Sequence, residues 1–363
     1  MKNNEELINN ILEQIPFSPI SQLRLTNILK EEVSDQELFL ALSKLVEDGK
    51  IMMNMGIKGP EYSRKWNTKV DEERKAFSKE LNTRFDENVI FFPRFEGYVA
   101  NIKDNIIARH PQEILKNFCE IGEDYVYWHK NNKSGLVYPP KLNAANSSDV
   151  FAVNIISGLG VDDSQIQYAV EFEALAKEAF KDRPEEISAP KAFFDAAISY
   201  NDAIDFVQGH LIDSFYQPVK PGLWAYQYGD RYLFDDEEAI NLFRDFSKKI
   251  HAVYFDITDL IKTIVALYSD ILASSEDYIN KKVNILSINY LLKEDTKYQV
   301  LYNYQEHYLK EAHSIEEKVN ELLAKLNLPE GVSMEYQFLT IDDVIDNLSE
   351  DAKAYIEKRY LNL

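Results

Sequence analysis

Between Pro190 and Tyr216 the chain reads PKAFFDAAISYNDAIDFVQGHLIDSFY, two apolar runs divided at Ser199–Asp202. Ser, Asn and Asp between two such runs mark a tight connection, so the stretch predicts two adjacent β-strands. The first carries one acid, Asp195, directly after two phenylalanines. The second runs from about Ala203 to Ile212 and includes the triplet Gln208-Gly209-His210. Ile204, Val207, Leu211 and Phe215 are also spaced three and four apart, and an amphipathic helix satisfies that spacing equally well. Everything inferred from this stretch depends on the strand reading.

With 363 residues the chain can bury a substantial core and divide into one small and one larger unit. Its 45% apolar and 12% aromatic content is that of a globular protein. The net charge is −21, from 61 acidic against 40 basic residues. Phosphate binding is driven largely by Lys and Arg releasing counterions, so there is no global attraction for nucleic acid. A protein partner gains weight, and DNA would need a local basic surface. The single cysteine, Cys119, allows no intramolecular disulfide and fits a reducing compartment. No apolar run approaches the roughly 20 residues that span a bilayer, and the N-terminus has no signal-peptide pattern. The expectation is a cytoplasmic protein without a membrane partner.

Leu7, Ile8, Ile11, Leu12 and Ile15 give the first helix its apolar face, and Pro16 ends it. A short second helix spans Ser21–Lys30. Ser34 and Glu37 form a capping-box pattern opening a third, which Gly49 stops. Lys50–Asn54 and Pro60–Trp66 then read as strands around the turn Gly56–Gly59. Three helices followed by a hairpin resembles a winged helix-turn-helix over residues 1–67. Such domains usually place the third helix in the DNA major groove. Here that helix region holds Asp35, Glu37, Glu47 and Asp48 against Lys44. Candidate DNA contacts are therefore Arg24 on the second helix and Lys58, Arg64 and Lys65 on the wing. Docking of a protein partner is the competing use.

Residues 68–110 predict a charged, solvated helical connector ending in an aromatic segment, and 111–363 a larger unit. Within it the spacing predicts a helix from Asp163–Ser164 to about Lys181. It also predicts an amphipathic helix over Ile257–Leu272, a buried strand over Lys282–Leu292 and a helix opened by a second capping box, Ser314 with Glu317. Val332–Phe338 reads as an outer strand. Lys262 lies three residues after Asp259, the spacing of a surface ion pair. Tyr216, Trp224, Tyr226, Tyr228 and Tyr232 form an aromatic run that packing or a substrate cleft would explain. There is no Walker motif, no G-x-G-x-x-G and no G-x-S-x-G elbow.

The order helix, strand, strand, helix, strand over 163–292, with Phe194-Asp195 on one strand and a polar-x-polar triplet on the next, resembles the PD-(D/E)XK restriction-endonuclease superfamily. The implied architecture is a mixed α+β fold, a restriction-endonuclease-like core with an N-terminal winged helix. In that family an aspartate is followed by an acid-x-lysine triplet, often with a glutamate on the preceding helix. The resemblance implies Asp195, Gln208 and His210 as catalytic positions. Asp195 with Glu171 or Glu173 would be ligands for Mg²⁺ or Mn²⁺. No proline precedes Asp195, and the triplet has neither carboxylate nor lysine. The implied protein is thus an intracellular bacterial one acting in nucleic-acid transactions or defence, with cleavage weak or lost. A non-catalytic adaptor binding proteins through both units is the alternative.

Overall fold

The computed structural model describes residues 4–30, 32–57, 59–131, 135–174, 191–211, 236–255 and 257–361. Lys58, Phe215 and the aromatic run from Tyr216 to Tyr232 lie outside the described residues.

The first unit comprises α1 (Asn4–Gln14), β1 (Ile20–Ser21), α2 (Gln22–Leu29), α3 (Asp35–Glu47), β2 (Ile51–Gly56) and β3 (Gly59–Arg64). Its antiparallel sheet has the order β1-β3-β2, leaving β2 on the outside. Ser34 and Glu37 close the capping box, and Gly49 follows α3 with φ +67, a left-handed backbone that glycine adopts freely. Ile11, Ile15, Leu25, Leu42, Leu45 and Ile51 make a core separate from that of the rest.

The larger unit begins with α4 (Thr68–Leu81), α5 (Pro111–Ile121), β4 (His129–Lys130), β5 (Val137–Tyr138) and α6 (Ser148–Gly158). The expected solvated connector is more embedded than its charge implies. Val70, Phe77 and Leu81 of α4 enter the main core, and Glu73 accepts the Val300 and Leu301 N–H groups. α6 is apolar nearly all round, SDVFAVNIISG, and is correspondingly buried.

Next come β6 (Ile166–Glu173), β7 (Lys191–Ser199), β8 (Ala203–His210), α7 (Glu237–Lys249), α8 (Ile257–Ala273), α9 (Ser275–Tyr278), β9 (Lys282–Asn289), α10 (Gln299–Leu323), β10 (Ser333–Thr340), α11 (Ile341–Val344) and α12 (Glu350–Ile356). The five-stranded sheet has the order β10-β9-β8-β7-β6. β6, β7 and β8 form an antiparallel meander. The chain then returns through α8 to lay β9 parallel to β8, and through α10 to lay β10 parallel to β9. The protein is a mixed α+β fold. The strand reading holds for Ala203–His210, where the helical alternative fails.

Two expected elements are corrected. In place of the helix from Asp163 to Lys181, a 3-10 turn at Asp163–Gln165 leads into strand β6, with Ile166, Tyr168, Val170 and Phe172 alternating with polar residues or Ala169, and residues 175–181 lie outside the described residues. Ser314 does not open a helix, since it lies inside the 25-residue α10.

Aromatic packing joins the two units. Phe17 and Trp66 meet Tyr254 and Tyr304 at ring separations of 5.0 to 6.1 Å. Arg64 lies over Phe17 and Tyr254, donates from Nε to Leu12 O at 2.8 Å and bonds the Tyr254 hydroxyl. His251 Nε2 donates to Gln14 O at 2.7 Å. Burial pushes the His251 pKa down to about 4, so the ring is neutral in this joint.

Candidate buried carboxylate site

Asp195 lies where the sheet's regular pairing fails on both sides. On one flank the register passes from Tyr168↔Ala196 to Val170↔Phe194, skipping Asp195 and Ala169. Ala169 has φ +54, a left-handed conformation that costs an L-residue roughly 1–2 kcal/mol. On the other flank the β7–β8 ladder stops at Ala196↔Val207. Side chains take over beyond it. Gln208 Nε2 donates to Phe193 O at 2.6 Å, and the Gly209 N–H donates to Asp195 Oδ2 at 2.7 Å.

The Asp195 carboxylate is only 4% exposed, and its Oδ1 has no hydrogen-bond partner among the described residues. The carboxyl of Asp149 lies near enough to act on its titration, and a hydrogen bond between two such groups would need a shared proton. Asp149 sits in the first turn of α6, behind the N-cap Ser147. The Ser147 hydroxyl donates to Asp149 Oδ2 at 3.2 Å and accepts the Val150 N–H at 3.3 Å. Ser148 Oγ accepts the Leu211 N–H at 3.1 Å, tying the start of α6 to the end of β8. Burial raises both carboxyls above the usual range. The facing charge of Asp149 adds to the rise at Asp195, which the Gly209 N–H partly offsets.

The α6–β8 contact is close because residue 209 lacks a side chain. A Cβ there would lie 2.5 Å from Ala152 Cβ and 3.0 Å from Ala152 Cα. Tyr125 borders the site, its hydroxyl pKa raised first by burial and then by Asp149 and Asp195. Lys141 Nζ stands 4.5 Å from the Tyr125 ring centre and pairs with Asp124 at 2.7 Å. Its charge partly counters the rise at Asp149.

The structure redistributes the residues expected from sequence. Asp195, Gln208 and His210 are on neighbouring strands, but the Gln208 amide N–H is committed to Phe193 O. Burial pushes the His210 pKa down to about 4, so at neutral pH it carries no charge and cannot act as a lysine does. Glu171 and Glu173 are not helical acids. They lie on β6, where Lys191 binds them at 2.8 and 3.5 Å in a surface ion-pair group. The second carboxylate at Asp195 is Asp149, which sequence reasoning missed, along with Tyr125 and Lys141. The only available signal was an acid opening a helix too apolar to be exposed. Lys262 pairs with Asp259 at 3.1 Å, as its spacing predicts.

Arg64 belongs to the joint, and burial lowers the pKa of the partly covered Arg24; Lys65 is exposed. Replacing Arg64 by alanine is expected to cost about 2 kcal/mol through lost hydrogen bonds and ring contacts. Thermal melts would register that loss, while the salt dependence of any DNA binding should stay unchanged. A basic surface appears elsewhere. Arg74, Lys75 and Lys79 of α4, with Asn82, Asn146 and Glu96, line an open cleft of about 490 Å³, where Lys79 pairs with Glu96 and Arg74 with Asp71, each at 3.6 Å. Asn146 lies one residue before the N-cap of the helix that carries Asp149.

Compared with protein-family models, curated proteins and solved structures, the chain matches none.

Proposed function

We propose that the larger unit is a restriction-endonuclease-like module that acts on nucleic acid and holds one divalent cation between Asp149 and Asp195, with slow hydrolysis. The observation that carries this reading is the buried Asp195 carboxyl, with its donorless oxygen, beside the half-buried Asp149 where α6 meets the β7–β8 meander. The succession α6, β6, β7, β8, then helices α7 to α9 and β9 supports it, with one acid on the second strand and another on the helix ahead of the meander.

The donor set suits a hard cation. Two carboxylates offer oxygen ligands, and no group of three His, Cys, Asp or Glu side chains is gathered for a metal among the described residues. Mg²⁺ is commonly held by one or two carboxylates with water completing its octahedron, and Mn²⁺ accepts similar ligands. A cation there would lower the pKa of a bound water and offset charge on a phosphoryl group. The chain's own residues explain the slowness. β8 supplies an occupied amide and a neutral imidazole where the family carries an acid and a lysine. Lys141, the cation beside the pair, is engaged with Asp124 and Tyr125. The cleft of Arg74, Lys75 and Lys79 holds three cations against Glu96, a local basic excess that the acidic chain lacks as a whole.

The test is to incubate the protein with plasmid, linear and single-stranded DNA in Mg²⁺ or Mn²⁺, beside Asp195→Asn and a Lys75→Glu/Lys79→Glu variant. We expect slow, metal-dependent nicking that the first change abolishes, and DNA affinity that the second reduces at least tenfold. Cleavage untouched by Asp195→Asn would sink the site. No DNA affinity and no cation response would sink the function.

One observation favours a second role for the first unit. α3 exposes Phe39 and Leu40 beside Asp35, Glu47 and Asp48, a surface better suited to a protein partner than to a phosphate backbone.

A further inference from the structure

Strand β2, with the sequence IMMNMG, is the outer strand of the small sheet. Met52, Met53 and Met55 are 43%, 49% and 76% exposed, and Ile57 at the hairpin tip is fully so. Natural edge strands are guarded by charges, proline, bulges or covering elements. β2 contains no charged residue and no proline, and among the described residues it pairs only with β3.

The direction of its free backbone groups follows from the hairpin. Gly56 pairs with Gly59 across two intervening residues, and the closing pair of such a loop is a hydrogen-bonded one. Antiparallel pairs alternate, so Asn54 and Met52 also bond to β3, while Met55, Met53 and Ile51 turn their N–H and C=O groups outward. Pro60, which has no N–H to give, lies opposite Met55, where this alternation requires no bond.

We infer that β2 pairs antiparallel with β2 of a second copy of this chain, around a two-fold axis at Met53. That register sets Met53 against Met53 and Ile51 against Met55, so that every outward donor meets an outward acceptor. Apolar side chains meet on one face, and Met52 meets Asn54 on the other. A two-fold contact is self-complementary and closes at the dimer. Charge also favours a second copy meeting through this unit. The first 67 residues hold eight basic and ten acidic residues, a net charge of −2, against −21 for the whole chain. Two copies therefore approach with least repulsion here. One short strand pair is a small interface, so the dimer forms at micromolar concentrations and strengthens with salt as the remaining like charges are screened.

The test is sedimentation velocity of the full chain across a concentration series, with Met53→Lys, Met55→Lys, and Met53→Cys in a Cys119→Ser background. We expect a species of twice 42.1 kDa for the unchanged chain and monomers for both lysine variants, with unchanged circular dichroism. If one lysine variant fails to fold, the other gives the reading. Paired Cα atoms lie about 5.5 Å apart at a hydrogen-bonded antiparallel position, within disulfide reach. Mild oxidation should thus cross-link Met53→Cys and leave Met55→Cys monomeric on a non-reducing gel. The inference is overturned by a chain that stays monomeric at hundreds of micromolar. Lysine variants that dimerise normally, cross-linking through residue 55 instead of 53, or open-ended oligomers would overturn it equally.

Discussion

Asp195→Asn should melt several degrees above the unchanged protein at pH 8 in the absence of divalent cations. The asparagine keeps an acceptor for the Gly209 N–H and can donate its amide to Asp149, so a repelling pair becomes a hydrogen-bonded one. The sign of the pH dependence follows from the raised carboxyls. The folded pair keeps a proton at pH values where the unfolded chain has lost it. The stability it contributes is therefore complete below the ordinary carboxylate range and falls as pH climbs through the raised values. Each unit of difference is worth about 1.4 kcal/mol. Asp195→Asn should flatten this decline. Mg²⁺ or Mn²⁺ should raise the melting temperature of the unchanged protein, more at pH 8 than at pH 5, and leave the variant unmoved. Differential scanning fluorimetry over pH 5–9 with and without cation measures all of this. Identical pH curves for both proteins would remove the carboxyl pair from any explanation of function.

Gly209→Ala is expected to be the most damaging single-methyl change near the site. The new carbon would fall 2.5 Å from Ala152 Cβ, 3.0 Å from its Cα and 3.1 Å from its N. Two of those atoms are helix backbone and cannot rotate away, so α6 must move off the sheet. Overpacking of this kind costs ~3 kcal/mol, and it separates Asp149 from Asp195 without altering either acid. The melting temperature should drop and the cation response should vanish. Combining it with Ala152→Gly, which removes the closest of the three contacts, should recover part of the stability. A variant that retains both stability and cation response would mean that α6 and β8 are not held together at residue 209.

The sequence made some of this legible through plain physical signals. Ser199–Asp202 marked the β7–β8 turn because a polar break between two apolar runs has few other folds. The helical spacing of Ile204, Val207 and Leu211 was a coincidence of burial: β8 has neighbours on both edges and alternates poorly. β6 showed the opposite failure. Its alternation was present in Ile166, Tyr168, Val170 and Phe172, but the helix formers from Glu173 to Lys181 outweighed it. Ser314 and Glu317 matched a capping box because residues three apart face one another inside a helix as well as at its start. Asp149 and Arg64 were beyond reach for another reason. Nothing local tells an acid on a helix which strand it will meet, or tells a cation at a strand end that aromatic rings from a distant loop will cover it.

Ala169 gives the carboxyl pair its character. An alanine held left-handed in mid-strand relaxes unless its surroundings prevent it, so the torsional strain opposite Asp195 is sustained by the tertiary framework. The opening in the β-ladder is accordingly built during folding. If the proposed cation binds here, it meets a shape set by the fold beforehand.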